Sequence, residues 1–105
     1  MKDAVGPVLR MSEEVDLVVQ SILEDNPGRE VEVVDKGAYV RVQAQRSLRI
    51  TLGTLRRNLG ASFQMRQIQS MLSAFAGRIT TTSDEITWTL TTKVGGSVPP
   101  GSERP

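Results

Sequence analysis

Residues 30–44 read Glu30-Val31-Glu32-Val33-Val34-Asp35-Lys36-Gly37-Ala38-Tyr39-Val40-Arg41-Val42-Gln43-Ala44. Two alternating runs flank Lys36-Gly37, and period-two alternation puts successive side chains on opposite faces of a strand. The stretch predicts an antiparallel hairpin whose buried face is shared by Val31, Val33, Val40 and Val42. Just beyond it, Leu48 and Ile50 bracket Arg49 as a third short strand of the same ribbon. Just before it, Asn26-Pro27-Gly28-Arg29 has turn chemistry, with proline presetting the first central residue and glycine accepting a positive φ at the second.

Further toward the N-terminus, Val15, Val18, Val19 and Ile22 recur at helical spacing and predict one amphipathic helix ending near Glu24. Ser12 suits its N-cap, and Glu13, Glu14 and Asp16 place negative charge in its first turn, where the helix dipole favours it. Val5 to Met11 predicts a short strand, held to an edge or a bulged position by Gly6-Pro7. On the C-terminal side, Thr51 can cap a short helix over Leu52 to Leu59, closed by Gly60. A third helix runs through Met65, Ile68, Met71 and Leu72 and closes at Phe75-Ala76-Gly77. Ile79, Ile86, Trp88 and Leu90 predict a last hairpin around Ser83-Asp84. The expected architecture is α+β: a hairpin-built antiparallel sheet packed with one longer and two short helices. Residues 1–92 form one domain, and residues 93–105, rich in glycine, proline and serine, form a disordered tail.

The composition narrows the function more than it narrows the fold. The chain of 105 residues has no cysteine and no histidine. A thiolate zinc site and an iron–sulfur cluster are thereby excluded, and the commonest general base is missing. The paired carboxylates Glu13-Glu14 and Asp84-Glu85 fall in a helix start and a turn, where nothing raises a pKa for acid catalysis. No glycine-rich phosphate loop is present, and the chain carries no run of about 18 apolar residues and no signal peptide, so a soluble cytoplasmic protein without metal or cofactor is expected. Residues 1–45 carry five basic and nine acidic side chains, residues 46–105 eight and three. Such a dipole orients docking to another protein. The alternative is a small nucleic-acid-binding module using Arg46, Arg49, Arg56, Arg57 and Arg66. Against it, Tyr39, Phe63, Phe75 and Trp88 are spaced as core residues and do not interleave with the arginines as a base-stacking platform would.

Five blocks then stand in order: Val5-Gly6-Pro7-Val8-Leu9-Arg10, Asp25-Asn26-Pro27-Gly28, Ala38-Tyr39-Val40-Arg41-Val42, Leu59-Gly60 with Phe63 and Met65, and Ser73-Ala74-Phe75-Ala76-Gly77-Arg78-Ile79. In order and spacing they resemble the effector, or coupling, proteins of bacterial multicomponent diiron monooxygenases, most closely those of toluene and alkene monooxygenases. The likeness runs from Val5 to Leu90. It departs from the family pattern at Ala61-Ser62, where a proline is frequent, and at Gln64, where an asparagine or aspartate cap is usual.

The resemblance implies a non-catalytic protein that is a monomer when free and holds no cofactor. It would bind a separate diiron hydroxylase near the helices over its active site and bias its conformation. It also implies that Ser73, Ala74, Phe75, Ala76, Gly77 and Arg78, read as a helix end, face that partner. Phe75 fits either a core position, at helical spacing from Ile68, Met71 and Leu72, or an interface anchor. Asn26, Pro27 and Gly28 are explained as a turn with a partner contact added to it, and Gly6 and Pro7 are read in the same way. Tyr39 and Trp88 are expected to be packing residues.

Overall fold

The hairpin forms as its alternation predicts. In the computed structural model, which describes residues 1–91, β2 (Val31–Asp35) and β3 (Tyr39–Gln45) pair antiparallel with Val31 opposite Ala44 and Val33 opposite Val42. Val40, Val42 and Ala44 are buried, whereas Val33 is 43% exposed. Val33 lies on the expected face, but β2 is the sheet edge. On the other side of β3 lies β1 (Ala4–Arg10), and beyond β1 lies β5 (Leu72–Ala76), giving the order β2-β3-β1-β5. Of the two positions expected from Gly6-Pro7, an edge or an irregular place in the ladder, β1 takes the second: it is an inner strand whose pairing with β3 runs through Val5, lapses at Gly6-Pro7, where proline has no N–H to give, and resumes at Val8.

The third strand of the ribbon belongs elsewhere. β4 (Ser47–Thr51) follows β3 after one residue, Arg46, whose φ of 74° turns the chain into a second, three-stranded sheet. There β4 pairs with β7 (Glu85–Thr89), and β7 pairs with β6 (Arg78–Thr81), in the order β4-β7-β6. The turn of this last hairpin is centred on Ser83-Asp84 as expected, tied by the Thr82 hydroxyl accepting from the backbone N–H of Asp84 and Glu85.

Helix α1 (Val15–Asp25) buries Val15, Val18, Ser21 and Ile22. It starts later than expected: Ser12 bonds Glu14 in a turn, and Glu14 occupies the N-cap position without a side-chain cap. Helix α2 (Leu52–Leu59) is capped by Thr51, whose hydroxyl accepts from the Thr54 N–H at 3.3 Å. Helix α3 (Met65–Met71) opens at Gln64, whose backbone N–H donates to Gln67 Oε1 at 2.8 Å while the Gln67 N–H donates to the Gln64 backbone carbonyl at 2.9 Å. α3 ends at Met71. The segment Leu72–Ala76, read from its spacing as helix, is instead β5, because the open edge of β1 offers it a hydrogen-bonded ladder that outweighs local helical spacing.

The core lies between the two sheets and is closed by the helices. β4 and β7 pack on β1, and α1 packs on β4 and α2. Leu9, Ile22, Leu48, Ile50, Leu55, Ile68, Ile86 and Trp88 are fully enclosed. The indole Nε1 of Trp88 is buried without a hydrogen-bond partner. None of the described helices is long and apolar enough to cross a membrane. The tail expected from Lys93 onward lies outside the described residues.

Candidate functional site: the β1–β5 face and the turn beside β4

β5 lies antiparallel along β1 with Ala76 opposite Gly6, Phe75 opposite Pro7, Ala74 opposite Val8 and Leu72 opposite Leu9. The register slips between Val8 and Leu9, which leaves Ser73 as the extra residue of a β-bulge. Gly6, Pro7 and Ser73 to Ala76 are thus brought side by side. They form an edge strand and its neighbour, not the expected helix end. Ser73, Ala74 and Phe75 are exposed, and Phe75 is 45% exposed despite its helical spacing from core residues. An aromatic ring left so accessible beside small residues is the kind of side chain that anchors protein interfaces.

The glycines of this region face inward in their function. Gly77 has φ 93°, and a Cβ there would stand 2.6 Å from the Thr89 carbonyl oxygen and 2.7 Å from Val5 Cγ1. It is glycine because the chain crosses from β5 to β6, hence from one sheet to the other, in a single residue. Gly6 has φ 144°, and a Cβ there would overlap the Val42 carbonyl. Internal packing is by itself enough to require glycine at both positions. Arg78, the next residue, is exposed at the start of β6.

Asn26 is not at the β5 edge. It lies beside β4, at the opposite margin of the three-stranded sheet from β6, and is 6% exposed. Its Nδ2 donates to the carbonyls of Ile22 (2.6 Å) and Arg49 (2.8 Å), and its Oδ1 accepts from the Arg49 N–H (3.2 Å). The side-chain amide therefore mimics one rung of a strand, closing the edge of β4 and fastening it to the end of α1. Pro27 and Gly28 stand exposed at the tip of this turn. A cleft of about 280 Å³ beside it is lined by Pro27, Arg29, Leu48, Arg49 and Thr87 among others. Both cations are already engaged, Arg29 by Ser47 Oγ and the Gln45 carbonyl, Arg49 by Glu85 at 2.9 Å.

A polar network absent from the sequence reading joins α1 to α2. The Asp25 carboxylate accepts from the Thr51 N–H (2.7 Å), the Thr51 hydroxyl (3.0 Å) and the Thr54 hydroxyl (2.6 Å), at the start of α2. Beside it, hydrogen bonds from Gln20, Asn58 and Arg57 hold the Glu24 carboxyl well below its ordinary 4.5, at about 2. The spacing Thr51-x-x-Thr54 was a visible capping signal, but its carboxylate acceptor lies 26 residues away in sequence. No group of His, Cys, Asp or Glu among the described residues is arranged to hold a metal ion. Of the five arginines of the nucleic-acid alternative three are engaged within the protein: Arg49 pairs with Glu85, Arg57 with Glu24, and Arg56 donates to the Phe63 carbonyl.

The family model described as MmoB/DmpM matches residues 3–89. The chain belongs to the MmoB/DmpM family. This MmoB/DmpM chain is 37% identical over 87 residues to the effector subunit of the alkene monooxygenase system of Xanthobacter autotrophicus (strain ATCC BAA-1158 / Py2), covering 83% of this chain and 86% of that protein. Its fold matches a chain in a solved phenol hydroxylase–regulatory protein complex, with a TM-score of 0.75 at 22% identity over 84% of this chain and 99% of the other. It also matches the soluble methane monooxygenase regulatory protein B, with a TM-score of 0.65 at 24% identity, over 87% and 67% of the two chains. The MmoB/DmpM fold thus accounts for both sheets and all three helices described above.

Proposed function

We propose that this protein is the non-catalytic effector of a multicomponent monooxygenase. It binds the diiron hydroxylase component in the cytoplasm and favours one hydroxylase conformation, so that electron delivery and oxygen activation are coupled to hydroxylation or epoxidation of a hydrocarbon. The observation that carries this reading is the extent of the relationship: the family match spans residues 3–89, and the 37% identical effector subunit is covered over 86% of its length. Differential binding is sufficient for such a role without chemistry of the chain's own, since a preference of about 1–3 kcal/mol alters an equilibrium roughly 5- to 150-fold.

Ser73, Ala74, Phe75 and Arg78 form the docking edge in this proposal, while Gly6, Pro7, Asn26 and Gly77 act from beneath by holding the backbone that presents it. Titrating the protein into the hydroxylase with its reductase and ferredoxin tests the reading. Product formed per reducing equivalent should rise and peroxide release should fall, saturating with the binding curve. A hydroxylase whose turnover and coupling ignore the added protein would refute it.

A further inference from the structure

Among the described residues Arg41 is the one arginine that is not exposed, and its Nε is buried without a hydrogen-bond partner. The other arginines reach water, and several also hold an acceptor: Arg10 the Ser70 carbonyl, Arg49 Glu85, Arg57 Glu24. A buried donor left unmatched bears its whole desolvation penalty, so the position of Arg41 requires an explanation.

Its neighbours supply one. Val40 and Val42 on either side are buried in the core, so Arg41 projects from the outward face of the four-stranded sheet. It stands opposite Val34 on β2 and Val8 on β1, and Ala74 of β5 completes the row. The rows to either side bring Glu32 opposite Gln43 and Arg10 opposite Tyr39, which is 42% exposed. Glu32, Arg10, Tyr39 and Ala74 all meet solvent, so the face is open, and its β1–β5 half is floored by small side chains. With strands about 4.8 Å apart, its area is on the order of 400 Å². That is roughly half of the ~800 Å² that one partner contributes to a standard interface. At its margin the face reaches β5 through Ala74, whereas Phe75, opposite Pro7, belongs to the other side of that strand.

We infer that this face is a docking surface for a partner protein that brings a carboxylate to Arg41. The inference rests on the effector reading in taking the hydroxylase as that partner. Docking would strip the remaining water from a half-buried guanidinium. Nε itself is enclosed, so a partner meets the terminal nitrogens: a neutral carbonyl there would leave the charge uncompensated, whereas a carboxylate neutralises it with two parallel hydrogen bonds. The described residues offer no such group. Glu32, the carboxylate on the same face, stands a row away, and the ion pairs among the described residues are Arg49–Glu85 and Arg57–Glu24. The flanking Val8 and Val34 would exclude water from the pair, as the rim of a binding hot spot does.

Two substitutions test this in the full-length protein. Arg41→Met keeps an apolar stem of similar length and removes every donor, and Arg41→Glu reverses the charge. Because the lost Nε has no partner in the free protein, the melting temperature of Arg41→Met should match or exceed wild type. Calorimetric titration into the hydroxylase component should show an affinity about ten-fold or more weaker for Arg41→Met and weaker again for Arg41→Glu. Arg66→Met, an exposed position on α3, should bind as wild type does. Wild-type affinity in Arg41→Met would overturn the docking face, and equal losses in the two variants would overturn the carboxylate. A melting temperature lowered by more than about 5 °C in Arg41→Met would make Arg41 an internal support and also overturn it. Failure of the wild-type protein to bind hydroxylase would instead strike the effector reading itself.

Discussion

Phe75 and Gly77 stand two residues apart and do opposite work. Phe75 is accessible and contributes little to the core, so Phe75→Ala should change the melting temperature by no more than a few degrees while weakening hydroxylase binding. Thermal melts paired with binding titrations would separate the two effects. Gly77→Ala should behave the other way round. A methyl there meets Thr89 and Val5 on a backbone at positive φ, and the combined strain and overlap should cost roughly 2 kcal/mol or more. For a domain of this size that is a fall of about 8–16 °C in melting temperature. Asn26→Ala belongs with the glycine: it leaves the Arg49 N–H and C=O and the Ile22 carbonyl without their partner and should cost about 2–3 kcal/mol in denaturant unfolding.

The junction of α1 with α2 carries the pH dependence. Glu24 has a folded pKa of about 2 against an ordinary 4.5, so its contribution to stability is present above pH 4.5 and is lost as pH falls toward 2. Glu24→Gln should flatten the unfolding free energy against pH over that window, read from urea curves at pH 5, 4 and 3. The helices and both hairpins were legible because their periodicities are local: Val15, Val18 and Ile22 can share only a helix face, and Val40 and Val42 only a strand face. β5 was not legible. Met71, Leu72 and Phe75 keep helical spacing, and what makes Leu72–Ala76 a strand is the free edge of β1, more than 60 residues earlier in the chain. The division into two sheets was hidden for a similar reason. One residue, Arg46 at positive φ, separates β3 from β4, and no periodicity records a change of sheet. For the site, the order of the five blocks pointed to a partner surface, yet it could not tell that Gly6, Asn26 and Gly77 have internal packing roles or that Arg41 Nε lacks an acceptor.

At the scale of the whole molecule, the chain passes directly from the four-stranded to the three-stranded sheet at Arg46 and again at Gly77, each time through a single residue, and returns between them by way of α2 and α3. There is no slack at either crossing, and Val5 of one sheet lies against Gly77, the crossing into the other. The sheets should therefore open together. Native-state hydrogen exchange is expected to give β1, β3, β4 and β7 one common opening free energy, whereas a separate, lower value for β4 and β7 would show that the sheets are independent units.

Trp88 is the one tryptophan of the chain, fully enclosed, with its indole N–H bonded to nothing. An indole in such apolar surroundings emits at short wavelength, and it sits in the sheet opposite the one that carries Phe75 and Arg41. The protein accordingly carries its own optical gauge of integrity: unfolding shifts its emission to the red, while a partner docked on the outer face of the four-stranded sheet should leave its colour unchanged, so a red shift in a variant reports a lost fold and not a lost docking contact.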